Sequence, residues 1–305
     1  MKSLKQQLNS AMNSTKGLRK LDDKELTALK KCIIDMFMHI KKICDDNGLI
    51  MMLTGGSCLG AVRHKGFIPW DDDLDLMMPR KDYNRLLQLC ESGVLGEDYE
   101  FTYPNINHDA PCAFLKIYLK DSKIIGIGGE SDKYPNGVFV DIFPIEGAPS
   151  SFFILKVKGI IANILRLCAN MVDSKDTWGD GLTRFYKQNA SLYINMKCRQ
   201  LIGRFLSVFT HKQWILWYDK FVKDEEIVEY AVIPTGRKLY VGETLPSNVY
   251  FPPSKGVFEG IEVNLPANTD AYLKNMYGNY MCIPPAEKRE SHMIVEIKLP
   301  HKYYE

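Results

Sequence analysis

The sequence predicts an α+β fold in which a mixed sheet is flanked by helices and interrupted by an inserted, basic helical subdomain. A strongly periodic helical segment precedes residue 50, and short apolar runs separated by turn residues follow it up to residue 143, which favours strands mixed with helices. Residues 152–171 and 191–222 are apolar, basic and of helical length, which predicts the insertion. We therefore expect a polar N-terminal segment (1–21), a core (22–150), a basic apolar helical insertion (151–228) and a C-terminal mixed segment that completes the core (229–305).

The composition excludes several classes of protein. The chain has 305 residues, 46% of them hydrophobic and 25% charged, as expected for a soluble globular protein. The net charge of +2 gives no case for nucleic-acid binding. The eight cysteines form no C-x-x-C pair, which indicates buried thiols in a reducing compartment rather than a disulfide framework or a zinc site. The first twenty residues are too polar for a signal peptide, so we expect a cytoplasmic protein.

The first strong element is a helix that begins at Asp22 and ends near Gly48. Asp22 and Glu25 have the spacing of a capping box, in which each side chain accepts a hydrogen bond from the other residue's backbone N–H. Apolar residues then recur at helical spacing up to Ile43. We expect this helix to pack beside the sheet.

Four aspartates lie in five consecutive positions, directly before an apolar run that ends at Pro79. On a strand, residues two apart point to the same face, so Asp73 and Asp75 would direct both carboxylates to one point. Such neighbours repel each other unless a cation lies between them, and an all-oxygen ligand set suits Mg²⁺ or Mn²⁺. Asp71 either supports these ligands or caps the preceding turn, and Asp72 has no assigned role.

A glycine turn precedes the aspartates. Gly55 and Gly56 allow a close approach of backbone to a ligand, and a short helix that begins near Ser57 would favour a phosphate at its N-terminus. A strand, this turn, a short helix and Asp-x-Asp on a second strand are the arrangement of a nucleotidyltransferase. Asp141 stands alone within an apolar strand pattern, where an unpaired carboxylate is costly, and it is the candidate for the third metal-binding carboxylate.

The stretch from Leu59 to Asp75, LGAVRHKGFIPWDDDLD, resembles the signature of the LicD family, which also includes fukutin-like domains. The resemblance continues through Asp141-Ile142-Phe143-Pro144 and into the C-terminal part. It implies a nucleotidyltransferase-like fold and the transfer of a phosphorylated alcohol, notably phosphocholine from CDP-choline, onto a glycan. Asp73, Asp75 and Asp141 would then be both the catalytic residues and the ligands of Mg²⁺ or Mn²⁺.

Several further residues are candidates for binding the donor. The turn residues Gly55, Gly56 and Ser57 would hold the phosphates of the leaving nucleotide. For each of the basic candidates, the alternative is a structural role in packing. These basic candidates are Arg63, His64, Lys116, Arg289 and His292.

The insertion differs from the rest of the chain in charge. Residues 151–215 contain ten Lys or Arg and three Asp, a net charge of +7, so the remainder of the chain carries −5. Lysines and arginines interrupt the apolar runs, which argues against a transmembrane helix. The helices either pack on the sheet or also contact an anionic membrane or a lipid-linked acceptor through residues 151–222, which would place the protein peripherally on the inner face of the cytoplasmic membrane.

These observations predict a Mg²⁺-dependent phosphotransferase that acts on a hydroxyl of a cell-surface glycan or its lipid-linked precursor. The alternatives are a nucleotidyltransferase that uses an NTP, and transfer of phosphoethanolamine, glycerol phosphate or a sugar phosphate. A non-catalytic, metal-stabilised scaffold is a third alternative. The residues leave the transferred headgroup and the acceptor glycan open.

Overall fold

The computed structural model describes residues 19–126, 133–177, 183, 186–187, 190–289 and 294–305. Its helices are α1 (Asp23–Asp46), α2 (Gly55–His64), α3 (Arg80–Glu91), α4 (Phe152–Thr177), α5 (Ala190–Leu206), α6 (His211–Val222), α7 (Leu239–Glu243), α8 (Ser247–Tyr250) and α9 (Thr269–Tyr277). Its strands are β1 (Met52–Leu53), β2 (Asp75–Pro79), β3 (Tyr99–Thr102), β4 (Leu115–Leu119), β5 (Lys123–Gly126), β6 (Phe139–Ala148), β7 (Tyr230–Val232), β8 (Leu245–Pro246), β9 (Ser254–Phe258), β10 (Ile261–Leu265) and β11 (Ile294–Lys298).

The expected capping box starts α1. The Asp22 carboxylate accepts a hydrogen bond from Glu25 N at 2.8 Å, and the Glu25 side chain accepts one from Asp22 N. One face of the helix is buried against the sheet and includes Leu29, Met36 and Ile40. The predicted packing helix is therefore confirmed.

The main sheet is mixed, as the sequence predicts, and β6 lies at its centre. The strand order is β1-β2-β6-β4-β3, with β7 paired to the C-terminal end of β6 and β8 paired to β7. The β2–β6 pair is parallel, whereas the other pairs in this sheet are antiparallel. Inward-facing residues such as Leu76, Val140 and Ile142 are completely buried between the sheet and its helices. The α+β class is therefore confirmed.

Helices α4, α5 and α6 form a helical layer beside the sheet, and a buried ion network joins this layer to the core. Arg80, at the start of α3, donates hydrogen bonds to the carboxylate of Glu146 on β6 and, at 2.8 Å, to Asp219 on α6. Arg80 and Glu146 are buried. Loss of one partner from such a network leaves an uncompensated buried charge, so the network holds α6 firmly against the sheet. Among the described residues, no helix combines the length and the apolar composition that crossing a bilayer requires.

The C-terminal part folds back onto the core around α2. The hairpin of β9 and β10 places Glu259 at its turn, where the carboxylate accepts a hydrogen bond from Phe67 N at 2.9 Å. Glu259 N in turn donates to the carbonyl of Lys65 at 2.9 Å. A side chain at Gly66 would collide with the Glu259 carboxylate in its present position, so glycine allows this close contact. The hairpin thereby fixes the loop that leads from α2 to the aspartates.

Candidate active site

The parallel pairing of β2 and β6 brings two of the predicted carboxylates together. Asp75, the first residue of β2, lies opposite Asp141 in the register of the two strands. Burial raises the pKa of Asp75 well above its usual range, and the neighbouring charges of Asp73, Asp141 and Asp71 raise it further. These carboxylates therefore lie close enough to repel one another, as a binding site for a divalent cation requires.

Asp71 and Asp72 belong to the same acidic cluster. One carboxylate oxygen each from Asp71, Asp72 and Asp73 lies within 4.8 Å of the other two, a grouping that could hold a metal ion. Asp71 also points to the glycine turn, because its Oδ2 lies 2.8 Å from the position that a Cβ of Gly56 would occupy. The structure thus adds Asp71 and Asp72 to the carboxylates that are candidates for metal binding.

Lys116 is the basic partner of Asp141. The two residues are neighbours on β4 and β6, and Lys116 Nζ lies 2.5 Å from Asp141 Oδ1. Burial lowers the pKa of Lys116, but Asp141 outweighs this effect, and the net pKa is raised. The ammonium group also lies 3.6 Å from the ring centroid of Phe139. Lys116 therefore stays charged at the edge of the acidic cluster.

Aromatic rings line the same side of the sheet as Asp141. Phe139 and Phe143 are two residues before and after Asp141 on β6, and all three are partly exposed while the residues between them are buried. The rings of Phe114 and Phe143 lie 4.3 Å apart between centroids. The acidic cluster is thus flanked by aromatic faces, of which Phe139 already contacts an ammonium group.

The glycine turn brings the N-terminus of α2 against the carboxylates. Helix α2 begins at Gly55, which has a φ of +52°, and a Cβ there would lie 3.2 Å from Asp75 Oδ2. The Ser57 hydroxyl accepts a hydrogen bond from Asp75 N at 2.9 Å, and Thr54 N donates to Asp75 O at 3.1 Å. The turn therefore holds the backbone of Asp75 in place, and Ser57 contributes to this through its side chain.

Two tyrosines of α9 lie beside the glycine turn and the acidic cluster, and sequence reasoning missed both. Tyr272 Oη lies 2.6 Å from Thr54 Oγ1 and accepts a hydrogen bond from Gly55 N at 3.1 Å. The pKa of Tyr277 is raised by burial and, to a lesser extent, by Asp75 and Asp71, so this phenol lies beside the acidic cluster. The signal for both residues was the resemblance to the LicD family, which continues into the C-terminal part of the sequence.

The basic residues at the end of α2 contact the protein itself. Arg63 Nη1 donates to the carbonyl of Tyr280 at 2.7 Å, and Arg63 Nε donates to His64 Nε2 at 2.9 Å. Burial lowers the pKa of His64, and the positive charges of Arg63 and Lys30 add to this effect. His64 is therefore a neutral acceptor, and the two predicted donor-binding residues form one connected unit.

Arg289 extends this unit through Trp70. The guanidinium carbon of Arg289 lies 4.3 Å from the ring centroid of Trp70. Trp70 also contacts the His64 ring, edge-on at 6.5 Å between centroids. Arg289 Nε also donates to the carbonyl of Pro284 at 3.2 Å. His292, the remaining basic candidate, lies outside the described residues.

Lys30 of α1 is a further residue near the site that sequence reasoning missed. Its Nζ donates to the carbonyls of Ile68 and Pro69, at 3.2 and 3.0 Å. Burial lowers the pKa of Lys30, whereas the charges of Asp71 and other acidic neighbours oppose this shift. Lys30 thus secures the loop that leads into the acidic cluster and partly offsets its negative charge.

Comparison with known proteins gives a family match over the region that contains the site. Residues 48–154 match the family described as LicD/FKTN/FKRP, nucleotidyltransferase domain. This region of the chain is therefore similar to the LicD family. The matched residues contain the glycine turn and every aspartate of the candidate site.

Two relatives extend the comparison beyond the matched domain. The chain is similar to the lipopolysaccharide cholinephosphotransferase LicD of Haemophilus influenzae, with 24% identity over 288 residues that span 92% of this chain and 98% of the relative. It is also similar to the uncharacterized protein RP689 of Rickettsia prowazekii, with 33% identity over 106 residues that span 33% of this chain and 40% of that protein. The first similarity includes the helical layer and the C-terminal hairpin as well as the matched domain.

Proposed function

We propose that this protein is a LicD-type transferase that moves phosphocholine from CDP-choline to a hydroxyl of a cell-surface glycan or its lipid-linked precursor. The observation that carries the proposal is the pairing of Asp75 with Asp141 beside the N-terminus of α2, in a chain similar over 92% of its length to a lipopolysaccharide cholinephosphotransferase. We also propose Mg²⁺ or Mn²⁺ as the cofactor.

The residues present fit a divalent cation. The donor set is entirely carboxylate oxygen. Burial raises the pKa of Asp75, and the negative charges of Asp73, Asp141 and Asp71 raise it further. Asp73, Asp75 and Asp141 would hold the ion, with Asp71 as an additional ligand. When bound, the ion supplies positive charge to the donor's diphosphate and to the transferred phosphoryl group.

The chain's own residues would carry out the remaining steps. The first turn of α2, opened by Gly55 and Gly56, presents its positive dipole end to the donor's phosphates. Lys116, beside Asp141, adds a fixed positive charge, and Arg63 and Arg289 lie on the Trp70 side of the site. A carboxylate of the cluster accepts the proton as the acceptor hydroxyl oxygen bonds to the β-phosphorus, and the bond from that phosphorus to CMP breaks.

The aromatic rings beside Asp141 favour choline as the headgroup. A quaternary ammonium is recognised by aromatic faces, and Phe114, Phe139 and Phe143 lie on the same side of the sheet as the catalytic carboxylate. Phe139 already contacts the ammonium group of Lys116. Because that ring already holds a cation, we propose that Phe114 and Phe143 receive the trimethylammonium group.

Release of CMP from CDP-choline tests the proposal, with CDP-ethanolamine and CDP-glycerol as competing donors and CTP as a nucleotidyl donor. We expect Mg²⁺-dependent CMP release from CDP-choline that EDTA abolishes. Asp141→Asn should lose this activity, whereas the exposed Asp98→Asn should keep it. Metal-dependent release of pyrophosphate from CTP, with no CMP from any CDP-linked donor, would instead establish an NTP-using nucleotidyltransferase.

A further inference from the structure

Helix α4 exposes a continuous apolar stripe. Its members recur at intervals of four and three residues, which places them on one face of the helix. A helix on the surface of a soluble protein normally presents polar residues there. Yet Phe153 is 76% exposed and Ile160 is 59% exposed. The stripe consists of Phe153, Val157, Ile160, Ile164 and Leu167.

The opposite face of α4 already packs against the protein. Leu155 and Ala162 are buried with Tyr240 in a second apolar core, and a side chain at Gly159 would collide with Val241. The exposed stripe is therefore not the face by which α4 joins the fold.

Helix α5 repeats the pattern. Ile194, Cys198, Leu201, Phe205 and Val208 are exposed and again recur at intervals of four and three residues along the helix and the turn that follows it. The two helices pack closely, since a Cβ at Gly203 of α5 would lie 2.3 Å from the carbonyl oxygen of Met171 on α4. Two neighbouring helices thus each carry an exposed apolar stripe, and we call the two together the paired stripes.

The charged residues around the paired stripes are basic. Residues 151–215 carry a net charge of +7, and neither α5 nor residues 152–172 of α4 contain an acidic residue. Exposed basic side chains flank both stripes, including Lys156 on α4 and Lys197 and Arg204 on α5. An apolar strip bordered by cations matches the interface of an anionic lipid bilayer, where acyl chains lie beneath negative headgroups.

We propose that the paired stripes bind the surface of an anionic membrane, with α4 and α5 lying in the plane of the interface. A second copy of the chain is the rival occupant, but a symmetric contact through this face would bring like charges together. The proposal goes beyond the transfer reaction and does not depend on which donor is used. It would place the active site close to a lipid-linked acceptor.

Co-sedimentation with lipid vesicles tests the proposal on the full chain. We compare vesicles of phosphatidylcholine alone with vesicles that also contain phosphatidylglycerol. We expect binding to the anionic vesicles that high salt weakens and that Phe153→Asp or Ile160→Asp reduces at least about tenfold. Ile106→Asp is the matched control, because Ile106 is also 76% exposed but lies outside the insertion, and it should bind as the wild type does.

The readouts separate this proposal from the proposed function. CMP release from soluble CDP-choline should be unchanged in the stripe variants, which also shows that they are folded. Absence of binding to both kinds of vesicle, or an equal loss in Ile106→Asp, would overturn the proposal. So would a wild-type dimer that the stripe variants dissociate and that does not bind vesicles.

Discussion

Asp75 and Asp141 lie opposite each other on neighbouring parallel strands, and each is fixed by its backbone rather than by a flexible loop. Asp75 N donates to the Ser57 hydroxyl, and Asp141 N donates to the carbonyl of Leu74 at 3.3 Å. The two carboxylates are therefore held together before any ligand binds. Repulsion between the carboxylates destabilises the metal-free folded state, and a bound cation would reduce this repulsion.

The first prediction concerns Asp75→Asn. In EDTA we expect this variant to melt about 2 °C or more above the wild type, because the neutral amide removes a buried charge from a cluster of like charges. Mg²⁺ should raise the melting temperature of the wild type and leave that of the variant almost unchanged. CMP release should fall by at least about a hundredfold.

Differential scanning fluorimetry with and without Mg²⁺ checks the stability half of this prediction. A variant that melts below the wild type in EDTA would mean that the Asp75 carboxylate stabilises the metal-free fold. A variant that keeps both its activity and its response to Mg²⁺ would remove Asp75 from the proposed set of ligands.

The second prediction compares two effects of a substitution at the glycine turn: backbone strain at positive φ, and contact of the new side chain with Asp75. Gly55 and Gly93 both have positive φ, of +52° and +87°, so alanine at either position costs about 1 kcal/mol of stability. Only at Gly55 would the new methyl group meet a functional atom, Asp75 Oδ2 at 3.2 Å, whereas a Cβ at Gly93 has open space around it. We expect similar losses in unfolding free energy and roughly tenfold slower CMP release in Gly55→Ala alone.

Chemical denaturation and CMP-release assays on the two variants test this. Equal activity in both would show that Asp75 adjusts to the methyl group without consequence. A loss of activity in Gly93→Ala as well would assign the effect to backbone strain.

The third prediction concerns donor choice. Phe143→Leu should raise the KM for CDP-choline by about fivefold or more while changing the KM for CDP-ethanolamine less, because a quaternary ammonium depends more on aromatic faces than a hydrated primary ammonium does. Phe101→Leu alters a ring of β3 that stacks on Tyr103. This variant is the matched control and should leave both values unchanged. An equal rise in KM for both donors would show that Phe143 supports the site by packing and does not recognise the choline group.

Local sequence pattern predicted three carboxylates that the structure brings close together, and their role as metal ligands stays a prediction. Alternation along an apolar run predicted that Asp73 and Asp75 act together, and an isolated aspartate in a second run predicted Asp141. The parallel register that joins these strands could not be derived from either run alone, because it depends on how distant segments pair.

Residues that support the site were not predictable in this way. Tyr272 accepts a hydrogen bond from the N–H of Gly55, which lies 217 positions away in the sequence. Lys30 donates to the carbonyl of Ile68, which lies 38 positions away. No spacing rule links such pairs. Ser57 was expected at the phosphates, which stays a prediction, and its hydroxyl also accepts a hydrogen bond from the backbone N–H of Asp75. Composition predicted the apolar, basic helices, but only the packed structure shows which of their faces is exposed.

The fourth prediction distinguishes positioning from stability at Tyr272. Its hydroxyl joins Thr54 and Gly55, so Tyr272→Phe removes two hydrogen bonds at the start of α2 and should cost about 1–3 kcal/mol of unfolding free energy. Tyr250 is an equally buried neighbour whose hydroxyl donates to the carbonyl of Glu243 at 3.1 Å, away from the turn. Tyr250→Phe therefore serves as the matched control for the loss of a buried hydroxyl.

We expect both tyrosine variants to be destabilised but only Tyr272→Phe to lose affinity for the donor, because only that hydroxyl sets the position of the first N–H groups of α2. The measurement is the KM for CDP-choline beside the denaturation midpoint of each variant. A rise in KM confined to Tyr272→Phe would establish that α9 positions the phosphate-binding turn. Equal KM values in the two variants would mean that Tyr272 contributes only to the stability of the core.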